Sequence, residues 1–209
     1  MDREVQKMFE EKNKEIIKNN LQLDIERNIA SLDDTLINIF NNNFDIAIKN
    51  IISMYEDSRY QESSSTVIKL MNKLKMDTYG ILNKLITDKK DKLINKILDI
   101  DFKEKDMEEY YNLVFSTTDE IKTIFSSDDI FKLKDKCIKD FDNYSEKVLN
   151  DDAIYITKSR VNDYITYRLF GKIEERVNME FTLRDNSLRN KGKESYEKFQ
   201  DLSRKTANI

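Results

Sequence analysis

Histidine is absent from this 209-residue chain, and cysteine occurs once, as Cys137. Without imidazole, His-based triads, His-ligated zinc, the 2-His-1-carboxylate site and bundle di-iron sites are excluded in their usual forms. A lone thiol can form neither an intrachain disulfide nor a cysteine cluster for zinc or iron–sulfur. Proline and tryptophan are also missing. The glycines are Gly80, Gly171 and Gly192, too far apart for a P-loop or a dinucleotide-binding turn. The opening Met1-Asp2-Arg3-Glu4-Val5 is charged at once and lacks the apolar segment of a secretory leader. Uninterrupted apolar runs reach only three or four residues. A bilayer span needs about 18. These absences predict a cytoplasmic chain with no transmembrane segment, no cofactor, no bound metal and no enzymatic activity.

What is present is charge. Asp, Glu, Lys and Arg make up 36% of the chain, yet the net charge is only −4. An ordinary globular chain carries about 25% charged residues. Apolar residues, at 39%, must therefore be spread thinly under a large polar surface. That ratio suits a thin helical body better than a compact α/β enzyme. The 25 Ile, 20 Asn and 27 Lys, against nine Arg, form a pattern that an A/T-rich coding sequence imposes without selection for binding.

The scarcity of breakers predicts long helices, and apolar spacing agrees. Val5, Phe9, Ile16, Ile17, Leu21, Ile25 and Ile29 read as one helical stripe. Ser31 followed by Asp34 resembles a capping box and suggests a break there. A single helix over residues 3–57 is the alternative. Leu36, Phe40, Phe44, Ala47, Ile48, Ile51 and Tyr55 form the next stripe. Ser63 to Thr66 offer N-caps for a third helix bearing Val67, Leu70, Met71, Leu74, Ile81, Leu82 and Leu85. Its apolar face then rotates to Leu93, Ile94, Ile97 and Leu98. This predicts either a kink at 87–91 or an 11-residue-type drift. Asp99-Ile100-Asp101 ends that helix, and a short one follows over 103–115. Thr117 with Glu120 reads as a capping box for another short helix, and Ser126 with Asp129 as one for a fifth. Asp151-Asp152 caps the next, with Val161, Ile165, Leu169, Ile173 and Val177 at i+4. A strand over 154–170, rich in Tyr, Ile and Thr, is the fallback. The fold class is all-α: an elongated helical bundle of five to seven amphipathic helices with coiled-coil-like packing. It forms one domain over 1–209, with 182–209 a polar, basic C-terminal helix or tail.

The clearest heptad runs through Ile130, Lys134, Cys137, Phe141, Tyr144 and Val148, at spacings alternating between four and three. Ile130, Cys137, Phe141, Tyr144 and Val148 are the candidate interaction seam, internal or facing another chain. Cys137 reads as a core thiol, because no base stands by to ionise it. Residues 66–98 carry net charge +5 and residues 99–129 net −7. Antiparallel packing of the two blocks would neutralise both. Otherwise Lys69, Lys73, Lys84, Lys89, Lys92 and Lys96 are a candidate basic surface, though they do not form one stripe. Asp99-Ile100-Asp101 begins like a calcium loop but lacks the required glycine and carries Tyr110 at its last position. Glu194, Glu197 and Asp201 share a helical face without a facing cluster to complete a magnesium site. Tyr110-Tyr111 and the Tyr164/Tyr167 pair could stack on bases, or sit as amphipathic rings at the edge of a core. The leading expectation is a non-enzymatic helical interaction or scaffold protein that self-associates or binds a partner helix. The alternative is a peripheral binder of nucleic acid or anionic membrane, using the basic residues of 66–98 and 182–209.

Overall fold

The computed structural model describes residues 3–56, 61–98, 106–148 and 158–207. These are helical almost throughout and include no strand. The helices are α1 (Arg3–Ala30), α2 (Leu32–Glu56), α3 (Gln61–Leu98), α4 (Met107–Ile121), α5 (Ser127–Val148) and α6 (Phe170–Ala207). Residues 158–163 are helical too and lead through a π-helical segment, Tyr164–Leu169, directly into α6. The all-α expectation holds, and the strand fallback does not: residues 158–170 are helical. Ser63–Thr66 do not cap α3, because the helix already runs from Gln61 and takes them into its first turns. Residues 154–157, the Asp151-Asp152 cap and the Asp99–Asp101 terminus lie outside what is described.

The chain forms two compact units, one drawn from three stretches of sequence and the other from two. One comprises 1–32, 89–124 and 180–209, the other 33–88 and 125–179, the latter drawn from two stretches that α3 and α6 each extend beyond. The divisions at 88/89 and 179/180 fall inside α3 and α6. No linker composition marks them for that reason.

The unit containing α2, the first part of α3, α5 and residues 158–179 is an antiparallel four-helix arrangement. Lys75 of α3 pairs with Asp45 of α2 at 2.7 Å. Tyr144 of α5 donates to Asp77 of α3 at 2.9 Å, and Lys73 of α3 lies 3.7 Å from the Tyr144 ring centre. Asn162 donates to Asp142 of α5 at 3.0 Å. Phe40 and Phe44 of α2 both meet Phe170 edge-on, at 6.4 Å between ring centres. Contacting residue numbers rise on one side and fall on the other between α2 and the 158–170 stretch (Phe44 with Phe170, Asn50 with Tyr164), between α3 and α5 (Asp77 with Tyr144, Thr78 with Cys137), and between α5 and 158–163 (Asp142 with Asn162, Glu146 with Lys158). Each helix buries one stripe among its three neighbours.

The other unit joins α1, the end of α3, α4 and the rest of α6. Along α1 and α6 the partners run Lys14 over Phe199, Asp24 with Lys191, and Asn28 and Ser31 with Arg184, again antiparallel. Arg189 of α6 bonds both Asp185 and Asp119, and Lys122 reaches Asp185 at 3.2 Å. Burial acts to raise the Asp185 carboxyl, but hydrogen bonds from Arg189 and Lys122 outweigh it and hold the group below its usual range. Tyr111 packs on Tyr196 at 5.2 Å. Lys96 of α3 pairs with Glu120 of α4, so the oppositely charged blocks do meet at one point.

Several local expectations change. Ser31 is a one-residue interruption. Its amide still bonds the Arg27 carbonyl at 3.1 Å, as in an unbroken helix, and its hydroxyl donates back to Asn28 rather than capping α2. Thr117 does not begin a helix. Asp106 caps α4 by accepting from the Glu109 amide at 2.8 Å, and the helix then runs through a buried Thr117 and Thr118. The Ser126 box does form: the Asp129 carboxylate takes the Ser126 amide and hydroxyl, and the Ser126 hydroxyl faces the Asp129 amide. α3 continues to Leu98 with no break near 87–91. Residues 182–207 are regular helix within α6 rather than a tail.

Two predictions follow from the packing. Gly80 and Gly171 lie in helix with nothing within 4 Å of an added Cβ. Each changed to Ala should stabilise the fold by about 0.5–1 kcal/mol, through helix propensity alone. At Gly192 a Cβ would stand 3.2 Å from the Val114 Cγ1. Gly192→Leu should instead destabilise by about 1–3 kcal/mol, from overpacking. Urea unfolding of the three variants checks the contrast, and equal effects at Gly80 and Gly192 would contradict it.

The second concerns Cys137, which is buried. Burial pushes its thiol from 9.0 up to about 12, while a hydrogen bond with Thr78 acts the other way. An unfolded thiol loses its proton near pH 9 and the folded one keeps it. The contribution is therefore intact below pH 9 and is lost progressively as pH rises toward 12. Cys137→Ala should cost about 1 kcal/mol near neutral pH and remove that part of the alkaline loss. Urea titrations of both proteins at neutral and alkaline pH check it, and parallel pH profiles would contradict it.

Candidate interaction surface

The seam expected on α5 is largely internal. Ile130, Cys137 and Phe141 are buried within their own unit, and Tyr144 is half-buried against α3. Val148 ends α5, and its side chain lies outside those described. Leu133, not Lys134, completes the buried stripe, and Ser145 is buried beside Tyr144. Burial thus follows the 3.6-residue turn of a straight helix instead of a strict heptad. Lys134 turns aside and lies over the Phe131 ring at 4.8 Å.

The candidate basic surface is divided between the two units. Lys69, Lys73 and Lys84 belong to one unit, and Lys89, Lys92 and Lys96 to the other. Lys73 is held over Tyr144, Lys96 is paired with Glu120, and Lys89 is half-buried and engaged. Lys69, Lys84 and Lys92 are exposed. The basic character of 182–209 is likewise neutralised in part, since Arg184, Arg189 and Lys191 all sit on carboxylates. Among the described residues no three of Cys, Asp and Glu come together as a metal-binding group. Glu194, Glu197 and Asp201 are all exposed along α6. No described helix is long and apolar enough to cross a membrane.

An unpartnered apolar surface lies instead on α1. Its sequence reads as one stripe, but the structure divides it in two. Leu21, Ile25 and Ile29 are buried, whereas Val5, Phe9, Ile16 and Leu23 are 52%, 63%, 47% and 44% exposed. At about 100° per residue, the five-residue step from Ile16 to Leu21 carries the chain to the far side of the helix. Phe9, Ile16 and Leu23 stand seven residues apart, in line with Val5. Such a repeat sits along a left-handed seam. One border is acidic, with Glu4, Glu15 and Glu26. The other carries Gln6, Asn13 and Asn20 and becomes charged toward its end, at Asp24 and Arg27. Beside the acidic border runs an open groove of about 950 Å³, lined by Met8, Lys12 and Glu15 and closed at one side by Phe199. The sequence signal was the 9–16–23 spacing, hidden because the neighbouring buried residues also recur at helical intervals.

Comparison with protein-family models, with curated proteins and with solved structures finds no match in any of the three.

The two stripes differ in what a charge would do. Phe141 is fully buried, so Phe141→Asp would strand a carboxylate in the core and should cost several kcal/mol, unfolding or aggregating the chain. Phe9→Asp should change stability by no more than about 0.5 kcal/mol, as other exposed substitutions do. Circular dichroism and urea unfolding separate the two. A folded Phe141→Asp protein would place the α5 stripe at the surface.

Proposed function

We propose that this chain is a non-enzymatic helical interaction protein whose α1 docks an amphipathic helix of a different chain. The observation that supports this reading is the exposed seven-residue stripe of Phe9, Ile16 and Leu23 on the side of α1 opposite its buried residues. A seven-residue repeat fits a helix as occupant, because only a supercoiled partner stays in register with it. Charge argues against a second copy. Parallel self-pairing would set Lys12 against Lys12 and Glu26 against Glu26. Antiparallel self-pairing would bring the Glu15 border against itself. A partner helix with apolar residues every seventh position and Lys or Arg on the flank facing Glu15 and Glu26 meets neither penalty. Lipid suits the stripe less well. It is one residue wide, and residues 3–18 carry five cations against four acids, so they lack the basic face of an interfacial helix.

A photo-cross-linking residue placed in turn along α1, in the native cell, tests this. Adducts to one other chain are expected at positions 9, 16 and 23, and none at 21, 25 and 29. Phe9→Asp with Ile16→Asp should abolish the adduct formed at 23. Adducts of twice the chain's own mass at the stripe, or no periodicity at all, would overturn the reading.

A further inference from the structure

The other unit carries a different kind of surface at its π-helical segment. Arg160, Asp163, Tyr164, Tyr167 and Arg168 line a shallow hollow of about 440 Å³. The segment spans Tyr164–Leu169, and the Phe170 amide bonds the Ile165 carbonyl five residues back. Its origin is legible in the buried stripe. Val161, Ile165, Leu169, Ile173 and Val177 recur every fourth residue, slower than an α-helix turns, and all five are buried. Widening one turn keeps them on one side. The widened turn also gathers Tyr164, Tyr167 and Arg168 on the outer side, and π turns of this kind recur at functional sites. Tyr167 is 74% exposed. The Tyr164 hydroxyl accepts from Asn50 at 2.7 Å, which fixes that ring. Arg160 and Arg168 are exposed, and neither has an ion pair or hydrogen bond among the described residues. Arg184 and Arg189, by contrast, are held by carboxylates.

We propose that this hollow binds single-stranded nucleic acid, independently of the docking surface on α1. The three groups it offers match the three parts of a nucleotide. Two guanidiniums are free for phosphates. At about 1.5 Å per residue they stand roughly 12 Å apart along the axis, with the rings between them. Tyr167 presents an open ring face for stacking on a base, and stacking tolerates any sequence. Asp163 can accept from an exocyclic amine on a base edge. An anionic lipid surface would leave Asp163 facing like charge and would find no aliphatic side chain to insert. A duplex would keep its base faces from Tyr167.

The test is fluorescence anisotropy of the full chain with a labelled eight-nucleotide oligouridylate across a range of salt, with phosphatidylserine vesicles as a second probe. Binding should weaken with salt with a log–log slope of about −1.4, for two phosphate contacts on a single strand. Arg160→Gln with Arg168→Gln should lower affinity at least tenfold and bring the slope near zero. Tyr167→Ala should lower affinity about tenfold with the slope unchanged, and Tyr167→Phe should retain it. Arg204→Gln and Phe9→Asp should change nothing. All these side chains are exposed, and circular dichroism confirms the fold of each variant. The proposal is overturned if the oligonucleotide does not bind at low salt, if Arg204→Gln weakens it as much as the double variant, or if the same residues bind vesicles and not the strand.

Discussion

One narrow apolar stripe per helix is the constraint on which the structure depends. With apolar residues at 39% and charged ones at 36%, the chain cannot bury helices on all sides. Each can offer only a seam, and a seam is stabilised when neighbouring helices close over it. The antiparallel pairings Asp45–Lys75, Asp77–Tyr144, Asp142–Asn162 and Phe44–Phe170 show that closure in one unit. Those of α6 with α1 and α4 show it in the other. Polar contacts at the rims set register, while the buried rows of Leu, Ile and Phe supply most of the driving force.

Against that rule α1 stands out. It has two apolar rows on opposite sides, and the fold closes over one of them. Exposed apolar residues scattered singly are ordinary. Three on a seven-residue repeat, with Val5 in line and a groove alongside, are a contiguous surface, and that surface is what the proposed partner helix would cover. The π-helical turn departs from regularity in another way. Its cause is internal, because the buried residues recur too slowly for α geometry. Its consequence is external: two guanidiniums without a partner among the described residues and an open tyrosine ring share one face.

Much of the fold was legible because the 3.6-residue period is written into the stripes. Leu36 to Ile51 and Val161 to Val177 are buried as their spacing implies. The capping box at Ser126 formed because nothing competed with it. The one at Thr117 did not, because Asp106 had already started the helix and the two threonines are needed inside. The Lys134 heptad misled because the buried arc of α5 is wider than a heptad seam: it takes in Leu133 on its far edge, while the Lys134 stem turns its ammonium out over Phe131. The two units were invisible to composition, since their divisions run through α3 and α6, where the helix sets the local sequence. The candidate sites were legible in parts. Tyr164 and Tyr167 stood out as a pair, but the arginines beside them gained meaning only once Arg184 and Arg189 were seen to be engaged. The outer row of α1 was read as core because sequence spacing places residues on a face without saying which face is covered.

The central claim is that α1 keeps one apolar row buried and holds the opposite row open. Single cysteines introduced at positions 9, 16, 23, 21, 25 and 29 of a Cys137→Ala chain, each labelled with a thiol reagent in the native state, test this most directly. The account predicts rapid labelling at 9, 16 and 23 and slow labelling at 21, 25 and 29, the difference vanishing in denaturant. Slow labelling at 9 and 16 in the purified protein would contradict it, because the outer row would then already be covered.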